Sequence, residues 1–306
     1  MIVDIQAIAQ CYGGKVCKGN ALIPTPGHSK RDRGTAIKAS ASAPDGLLVT
    51  CYNGTRADAL AVKEMLRLDG FLPEGEARSL TPAEKLSLRL AEQERARQRI
   101  EQEQQASSVA ADLWGEAGRA DAGHPYLVRK ALQPVGVRQS GRLLLVPMID
   151  AGFALWNLQR IKPDGTKLFL KNGRTKGLFW SHGAFLNDGQ PSDGPLVIGE
   201  GYSTLSAIHD ATGFGVVAAL SWSNLGPVAR DMRRLFPGRV LVIAGDDDSH
   251  LPDNLGLNAA TSAAKSVGGF LATAGGAAAA SASGTDFADI PRHQVAARIA
   301  AALQGE

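Results

Sequence analysis

Cysteine is scarce in this chain. Cys11, Cys17 and Cys51 are the three among 306 residues, an odd number too scattered for a disulfide framework, so reduced thiols are expected. Long apolar runs are missing too: stretches such as 47–49 and 143–148 fall far short of the roughly 20 residues that cross a bilayer. The opening Met-Ile-Val-Asp has no charged segment leading into an apolar one, so neither a signal peptide nor a membrane partner is expected, and the chain reads as cytoplasmic. No Gly-x-x-x-x-Gly-Lys-Ser/Thr loop occurs, which removes a P-loop motor. No repeat of roughly 20–50 residues is visible, which removes solenoids and propellers. Net charge is small as well: 33 Lys/Arg against 30 Asp/Glu leave +3, so the overall balance selects no partner. With 44% hydrophobic and 21% charged residues and a mean hydropathy of −0.08, disorder and fibres are excluded and about two domains are expected.

What is present is unevenly distributed. Between 124 and 180, ten Lys/Arg face only Asp150 and Asp164, and local positive charge of this kind binds phosphates. Residues 1–75 are rich in Gly, Pro and turns, with a strand expected at 46–50 and a helix at 57–69 ending at Gly70. A second helix opens at Thr81-Pro82-Ala83-Glu84, where Thr81 caps, Pro82 takes the first helical position and Glu84 returns the capping bond. Its residues 92–105 are almost all charged or Gln. The apolar stripe therefore fades after Leu90, and a helix ending near Gln105 is expected to cross solvent as a linker over 76–110. Strand patterns recur at 143–148, 154–161 and 167–170, separated by Asp-Ala-Gly and Lys-Pro-Asp-Gly turns, which predicts a small antiparallel sheet in a basic subdomain over 111–190. From 191 to 306, continuously apolar strands at 196–199, 216–220, 240–244 and 270–273 alternate with helices at 204–211, 225–235 and 257–267. That is the pattern of an α/β chain whose parallel sheet is covered on both faces.

In an open parallel sheet, chemistry gathers beyond the carboxyl ends of the strands. Here the residues in those places are acidic. Glu200 follows Pro-Leu-Val-Ile-Gly, Asp246-Asp247-Asp248 follow Val-Leu-Val-Ile-Ala-Gly, and Asp286 and Asp289 lie in Gly-Thr-Asp-Phe-Ala-Asp-Ile. Carboxylates crowded at one edge repel one another unless a hard cation neutralises them, and all-oxygen donors suit Mg²⁺ or Mn²⁺. Alternation along an extended segment turns Asp246 and Asp248 to one side and Asp247 away. Alone, the triplet reads as a polar loop; coupled to Glu200 it reads as a metal site. Gly201 permits a tight turn there, and Ser203 or Thr204 can cap the following helix.

Val-Ile-Gly-Glu200-Gly-Tyr-Ser-Thr with Ile-Ala-Gly-Asp246-Asp-Asp248 downstream resembles the TOPRIM fold of bacterial primases, type IA and II topoisomerases and some nucleases. Within that group it most resembles the primases of conjugative plasmids, phages and mobile elements. The stretch from Arg142-Leu-Leu-Leu-Val-Pro147 through Leu158-Gln-Arg160 to Gly165-Thr-Lys167-Leu-Phe-Leu resembles the basic subdomain that primases place ahead of that fold. The resemblance implies a TOPRIM parallel sheet with flanking helices, preceded by a basic antiparallel-sheet subdomain and a zinc-ribbon-like amino-terminal module. It implies a DNA primase, making short RNA primers on single-stranded DNA by metal-dependent nucleotidyl transfer in the replication of a mobile element. Glu200, Asp246 and Asp248 are then catalytic, and these three with Asp286 and Asp289 hold two Mg²⁺ or Mn²⁺ ions. Asp286 and Asp289 are three apart, where replicative primases have acids two apart. Arg142, Arg160, Lys162, Lys167, Lys171, Arg174 and Lys176 hold template and nucleotide phosphates. Implied partners are single-stranded template, ribonucleoside triphosphates and a separate replicative helicase. Trp156 and Phe169, inside strand patterns, are expected in the core, and Trp180 is left open between core and base stacking.

The resemblance also implies a zinc ribbon with a Cys-x-x-His pair and a two-Cys pair. Thr25-Pro26-Gly27-His28 and Cys51-Tyr-Asn-Gly54-Thr55 fall in those places. Only His28 and Cys51 are ligand types, so a four-ligand zinc site is not expected. Leu47, Leu48, Val49, Leu60, Val62 and Leu66 are expected to hold the module instead. Two other readings stay open: a non-catalytic accessory protein that binds single-stranded DNA, and a metal-dependent TOPRIM nuclease. The four tyrosines, Tyr12, Tyr52, Tyr126 and Tyr202, reveal no separate strand-cleaving domain and so disfavour a topoisomerase.

Overall fold

The computed structural model describes residues 4–43, 45–72, 81–185, 193–246, 254–275 and 286–305. The chain divides into two units, Met1–Ile100 and Glu101–Glu306. In the first, α1 (Ile5–Cys11) precedes an antiparallel sheet of β1 (Lys15–Cys17), β2 (Asn20–Ile23), β3 (Thr35–Ala39) and β4 (Leu47–Cys51) in sequential order, and α2 (Arg56–Leu68) follows. A reciprocal capping box between Thr55 and Asp58 opens α2. Ile8 of α1 and Val62 and Leu66 of α2 close over Ala21, Ile23, Ile37 and Leu47, all fully buried. Each such aliphatic side chain contributes about 1.5–3 kcal/mol. Leu48 and Leu60, expected in this core, are 50% and 60% exposed. Leu48 faces away from its strand neighbour Leu47 because side chains alternate, and Leu60 lies off the Val62–Leu66 stripe.

Helix α3 (Pro82–Glu116) starts at the expected box, with Thr81 N–H donating to Glu84 and Glu84 N–H donating back to Thr81. It continues well past the expected end near Gln105. The reason is a late apolar face: Ala110, Leu113 and Trp114 pack on Leu145, Leu158 and Leu170, and the Ser107 hydroxyl donates to the Leu155 carbonyl at 2.7 Å.

The second unit holds two sheets. The first is antiparallel, in the order β5 (Gly118–Arg119), β6 (Arg138–Ser140), β7 (Leu143–Ile149), β8 (Leu155–Ile161) and β9 (Lys167–Phe169), with α4 (Pro125–Arg129) between β5 and β6. Next in the chain come β10 (Trp180–His182), β11 (Leu196–Gly199), α5 (Tyr202–Thr212), β12 (Gly215–Ala218), α6 (Trp222–Leu235), β13 (Leu241–Gly245), α7 (Leu255–Val267), β14 (Phe270–Thr273) and α8 (Arg292–Gln304). The second sheet has the order β10-β12-β11-β13-β14. Its last four strands are parallel, but β10 joins antiparallel to β12, so the expected parallel sheet is mixed at one edge. Trp180 on β10 is core, 1% exposed, with its indole N–H on the Gly136 carbonyl at 3.0 Å. Trp156 and Phe169 are half-buried against the same core.

Alternate residues of the parallel strands serve two cores. Leu196, Ile198, Val217 and Ile243 face α6 and α7, whereas Val197, Val216 and Val242 face residues of α5 and α8. The latter core also takes Leu144, Val146, Met148 and Ile161 from the antiparallel sheet. One continuous core thus fixes the basic sheet beside the parallel one. No described helix is long and apolar enough to cross a membrane.

Candidate active site

Strands β11 and β13 pair in parallel with Gly199 opposite Ala244. Glu200 and Asp246 therefore leave the sheet at the carboxyl ends of neighbouring strands. Glycine is required directly behind Glu200: a Cβ on Gly199 would meet the Leu205 side chain at 2.7 Å and the Ala244 carbonyl at 3.1 Å. The Glu200 carbonyl accepts from the Leu220 N–H at 2.8 Å, and Leu220 adopts φ +64°, a backbone region uncommon for any residue but glycine. Thr204 does not cap α5, whose N-cap Gly201 offers no side chain. Its hydroxyl donates instead to Asp246 Oδ1 at 3.3 Å, tying the start of α5 to the end of β13. Asp248 lies outside the described residues. Among those described, no group of three or more His, Cys, Asp or Glu that could hold a metal ion is assembled.

The downstream acids Asp286 and Asp289 lie in the turn before α8 and meet a cation from the protein itself. Lys130, which ends α4, places its ammonium 3.3 Å from Asp286 Oδ2 and in hydrogen-bond contact with Asp289 Oδ1. Burial works against the charge of Lys130, but the two carboxylates outweigh it and raise its pKa.

The expected phosphate-binding residues divide into two groups. Arg142, Lys162, Lys167, Lys171 and Lys176 are exposed on the antiparallel sheet and its adjoining turns. Arg160 and Arg174 are half-buried and tied into the fold. Arg160 donates to the Phe169 carbonyl at 3.2 Å. Arg174 pairs with Asp150 at 3.5 Å, lies 5.1 Å from the centre of the Trp156 ring and donates to the Lys176 carbonyl. Both guanidinium groups are tied to the fold, whereas the other five side chains are open to solvent.

In the first unit, the places of the implied zinc ligands carry a hydrogen-bonded chain. The Thr25 hydroxyl donates to Asn53 Oδ1 at 2.6 Å and lies 3.0 Å from the Thr35 hydroxyl, which is 3.2 Å from Cys51 Sγ. Each hydroxyl has one proton. Because that of Thr25 goes to Asn53, Thr35 donates to Thr25 and the Cys51 thiol donates to Thr35. The Asn53 amide then serves Asp32 at 3.0 Å and His28 Nδ1 at 3.3 Å. Thr25 and Thr35 are buried. Burial pushes the Asp32 carboxyl up, but hydrogen bonds from Thr25 and Asn53 prevail and lower it to about 2. A cysteine binds zinc as its thiolate, whereas this hydrogen-bonded chain uses the thiol proton of Cys51. The residues present do not fit zinc.

Sequence reading missed Thr204 as a partner of Asp246, Lys130 as the partner of the downstream acids, and Asn53 as the hub of the amino-terminal cluster. For Asn53 a signal existed, since it is a polar residue between Cys51 and Gly54, the two places of the implied two-Cys pair. For the other two none did, because both contacts join residues distant in sequence.

No protein-family model matches the chain. Over 202 residues, 62% of this chain, it is 35% identical to DNA primase TraC of Escherichia coli. Over 194 residues, 61% of this chain, it is 36% identical to a second Escherichia coli protein of that name. The chain spans 19% of the length of the first and 13% of the second. Among solved structures, it is similar at 16% identity and a TM-score of 0.41 to the RNA polymerase domain of Mycobacterium tuberculosis primase DnaG, covering 67% of this chain and 80% of that one. It is also similar at 16% identity and a TM-score of 0.41 to the primase fragment of the bacteriophage T7 primase-helicase protein, covering 54% of this chain and 69% of that one.

Proposed function

We propose that this chain is the primer-synthesising part of a mobile-element DNA primase, joining ribonucleotides on a single-stranded DNA template. Its parts are a ribbon-like module over 1–75, a helical linker over 76–110, a basic subdomain over 111–190 and a TOPRIM domain over 191–306. The observation that carries this reading is the exit of Glu200 and Asp246 from neighbouring parallel strands, in a sheet that shares its core with a basic antiparallel sheet. The 35% identity to DNA primase TraC supports it.

The strand-end donors are carboxylate oxygens, a donor chemistry that fits a hard divalent ion. Glu200, Asp246 and Asp248 would hold Mg²⁺ or Mn²⁺, which supplies charge neutralisation at the triphosphate and activation of the attacking oxygen. Glu200 also has the chemistry to accept the proton of the ribonucleotide 3′-hydroxyl. Arg142, Lys162, Lys167, Lys171 and Lys176 contact template and nucleotide phosphates. A replicative helicase acts as a separate partner chain.

The test is synthesis of labelled oligoribonucleotides on single-stranded DNA with Mg²⁺ or Mn²⁺, comparing the native chain with Glu200→Gln. Products from the native chain alone are expected. Template degradation by the native chain would favour the nuclease reading, and strand binding with neither reaction the accessory-protein reading.

A further inference from the structure

The resemblance counts Asp286 and Asp289 among the metal ligands, yet the structure gives this pair a cation of its own. The Lys130 ammonium bridges Asp286 Oδ2 and Asp289 Oδ1, and the three side chains are 22%, 23% and 38% exposed. Both sides of the bridge are held by backbone. Lys130 is the C-cap of α4, its N–H donating to the Tyr126 carbonyl at 3.1 Å, behind the buried Tyr126 and Leu127. The carbonyl of the next residue, Ala131, accepts from Arg292 at 2.9 Å, a second strap onto α8. On the acid side, Asp286 Oδ1 accepts from the Ala288 N–H at 2.6 Å and the Asp286 carbonyl from the Asp289 N–H at 3.0 Å, with Phe287 fully buried between them. Asp286 thus has one oxygen committed to backbone and the other to Lys130. A divalent ion entering here must first displace the Lys130 ammonium from both carboxylates.

We propose that Lys130 is the resident cation of the Asp286–Asp289 pair, so that this pair takes no divalent ion and metal binding is confined to the strand-end carboxylates that include Glu200 and Asp246. The proposal rests on the reading of those strand-end carboxylates as a metal site given under Proposed function. Lys130 is then a positioning residue. It acts through the two aspartates, locking the subdomain that carries α4 to the turn before α8, and a single metal-binding locus is left for the chemistry.

Mn²⁺ binding to the full chain, measured by calorimetry and by electron paramagnetic resonance without nucleotide or template, tests this. Asp246→Asn is expected to weaken binding about tenfold or more, and Asp286→Asn to change it less than about twofold. Lys130→Met is expected to take up one additional Mn²⁺ per chain, lost again when Asp286→Asn is added, whereas Lys130→Arg keeps the native stoichiometry. If Asp286→Asn weakens binding as much as Asp246→Asn does, or if Lys130→Met gains no ion while retaining the native circular dichroism spectrum, the proposal is overturned. Should Lys130→Met fail to fold, the comparison of Asp286→Asn with Asp246→Asn decides alone. Native binding that Asp246→Asn leaves intact contradicts the strand-end metal reading instead, and the gain in Lys130→Met still decides the role of Lys130.

Discussion

The Thr25–Thr35–Cys51–Asn53 cluster of the first unit and the carboxylates of the second both stand where the resemblance to primases implies metal ions. In the first, each donor meets an acceptor within the protein, from the Cys51 thiol through two hydroxyls to the Asn53 amide. In the second, Glu200 and Asp246 leave neighbouring strand ends, and the one ammonium described among the acids, that of Lys130, is bound to Asp286 and Asp289. Neutral hydroxyls, thiol and amide satisfy one another at short range. Carboxylates brought together repel one another, and at Asp286 and Asp289 the Lys130 ammonium offsets that repulsion. The places of the implied zinc ligands are thus filled by hydrogen bonds within the protein, whereas the downstream acid pair is bridged by an ammonium.

Chelation breaks the comparison most sharply. Excess EDTA is expected to abolish primer synthesis while the melting temperature of the first unit stays unchanged, as followed by scanning calorimetry. A fall in that melting temperature would show a metal in the amino-terminal module. Next in size is Thr35→Val, which removes a fully buried hydroxyl between Thr25 and Cys51. It is expected to destabilise the first unit by about 1–3 kcal/mol in denaturant titration and to leave Mn²⁺ binding unchanged.

Asp32 sharpens the same contrast through pH. Its carboxyl is held at about 2, below the ordinary 3.8. A lowered folded-state pKa stabilises the protein fully above the unfolded value and loses that stabilisation as pH falls through the folded one. The stability difference between the native chain and Asp32→Asn should therefore be constant near neutrality and shrink between about pH 4 and 2. A difference independent of pH across that range would assign Asp32 a role other than its charge. The smallest effect is expected on the basic sheet. Lys167→Ala should weaken single-strand binding at all sequences alike and reduce the salt dependence by about 0.7 in log–log slope. Arg174→Ala should instead lower stability with little change in that slope, because its partners are Asp150 and Trp156.

Much of the second unit is legible in its sequence, and physical reasons separate the legible from the rest. The strands expected at 196–199 and 270–273 coincide with β11 and β14; for β11 the reason is that a Leu-Val-Ile run buried throughout has few other solutions. The elements that went unread are short or weakly patterned. They include β1, whose residues are all exposed, β10, which is set by pairing with β12, and α8, whose Ala-rich turns lack a side-chain cap. The end of α3 is fixed by packing on the antiparallel sheet, which local charge cannot report. Glu200 and Asp246 were legible because position after a strand is a local property. Lys130 was not, since 156 residues separate it from Asp286.

The most direct test of the central claim is Asp246→Ala measured twice on one preparation, for primer synthesis and for single-stranded DNA binding. The account predicts a loss of synthesis of about a hundredfold or more, with binding changed less than about twofold because the proposed phosphate contacts lie on the other sheet. Synthesis that survives Asp246→Ala, in a chain that still folds and binds the strand, would contradict it.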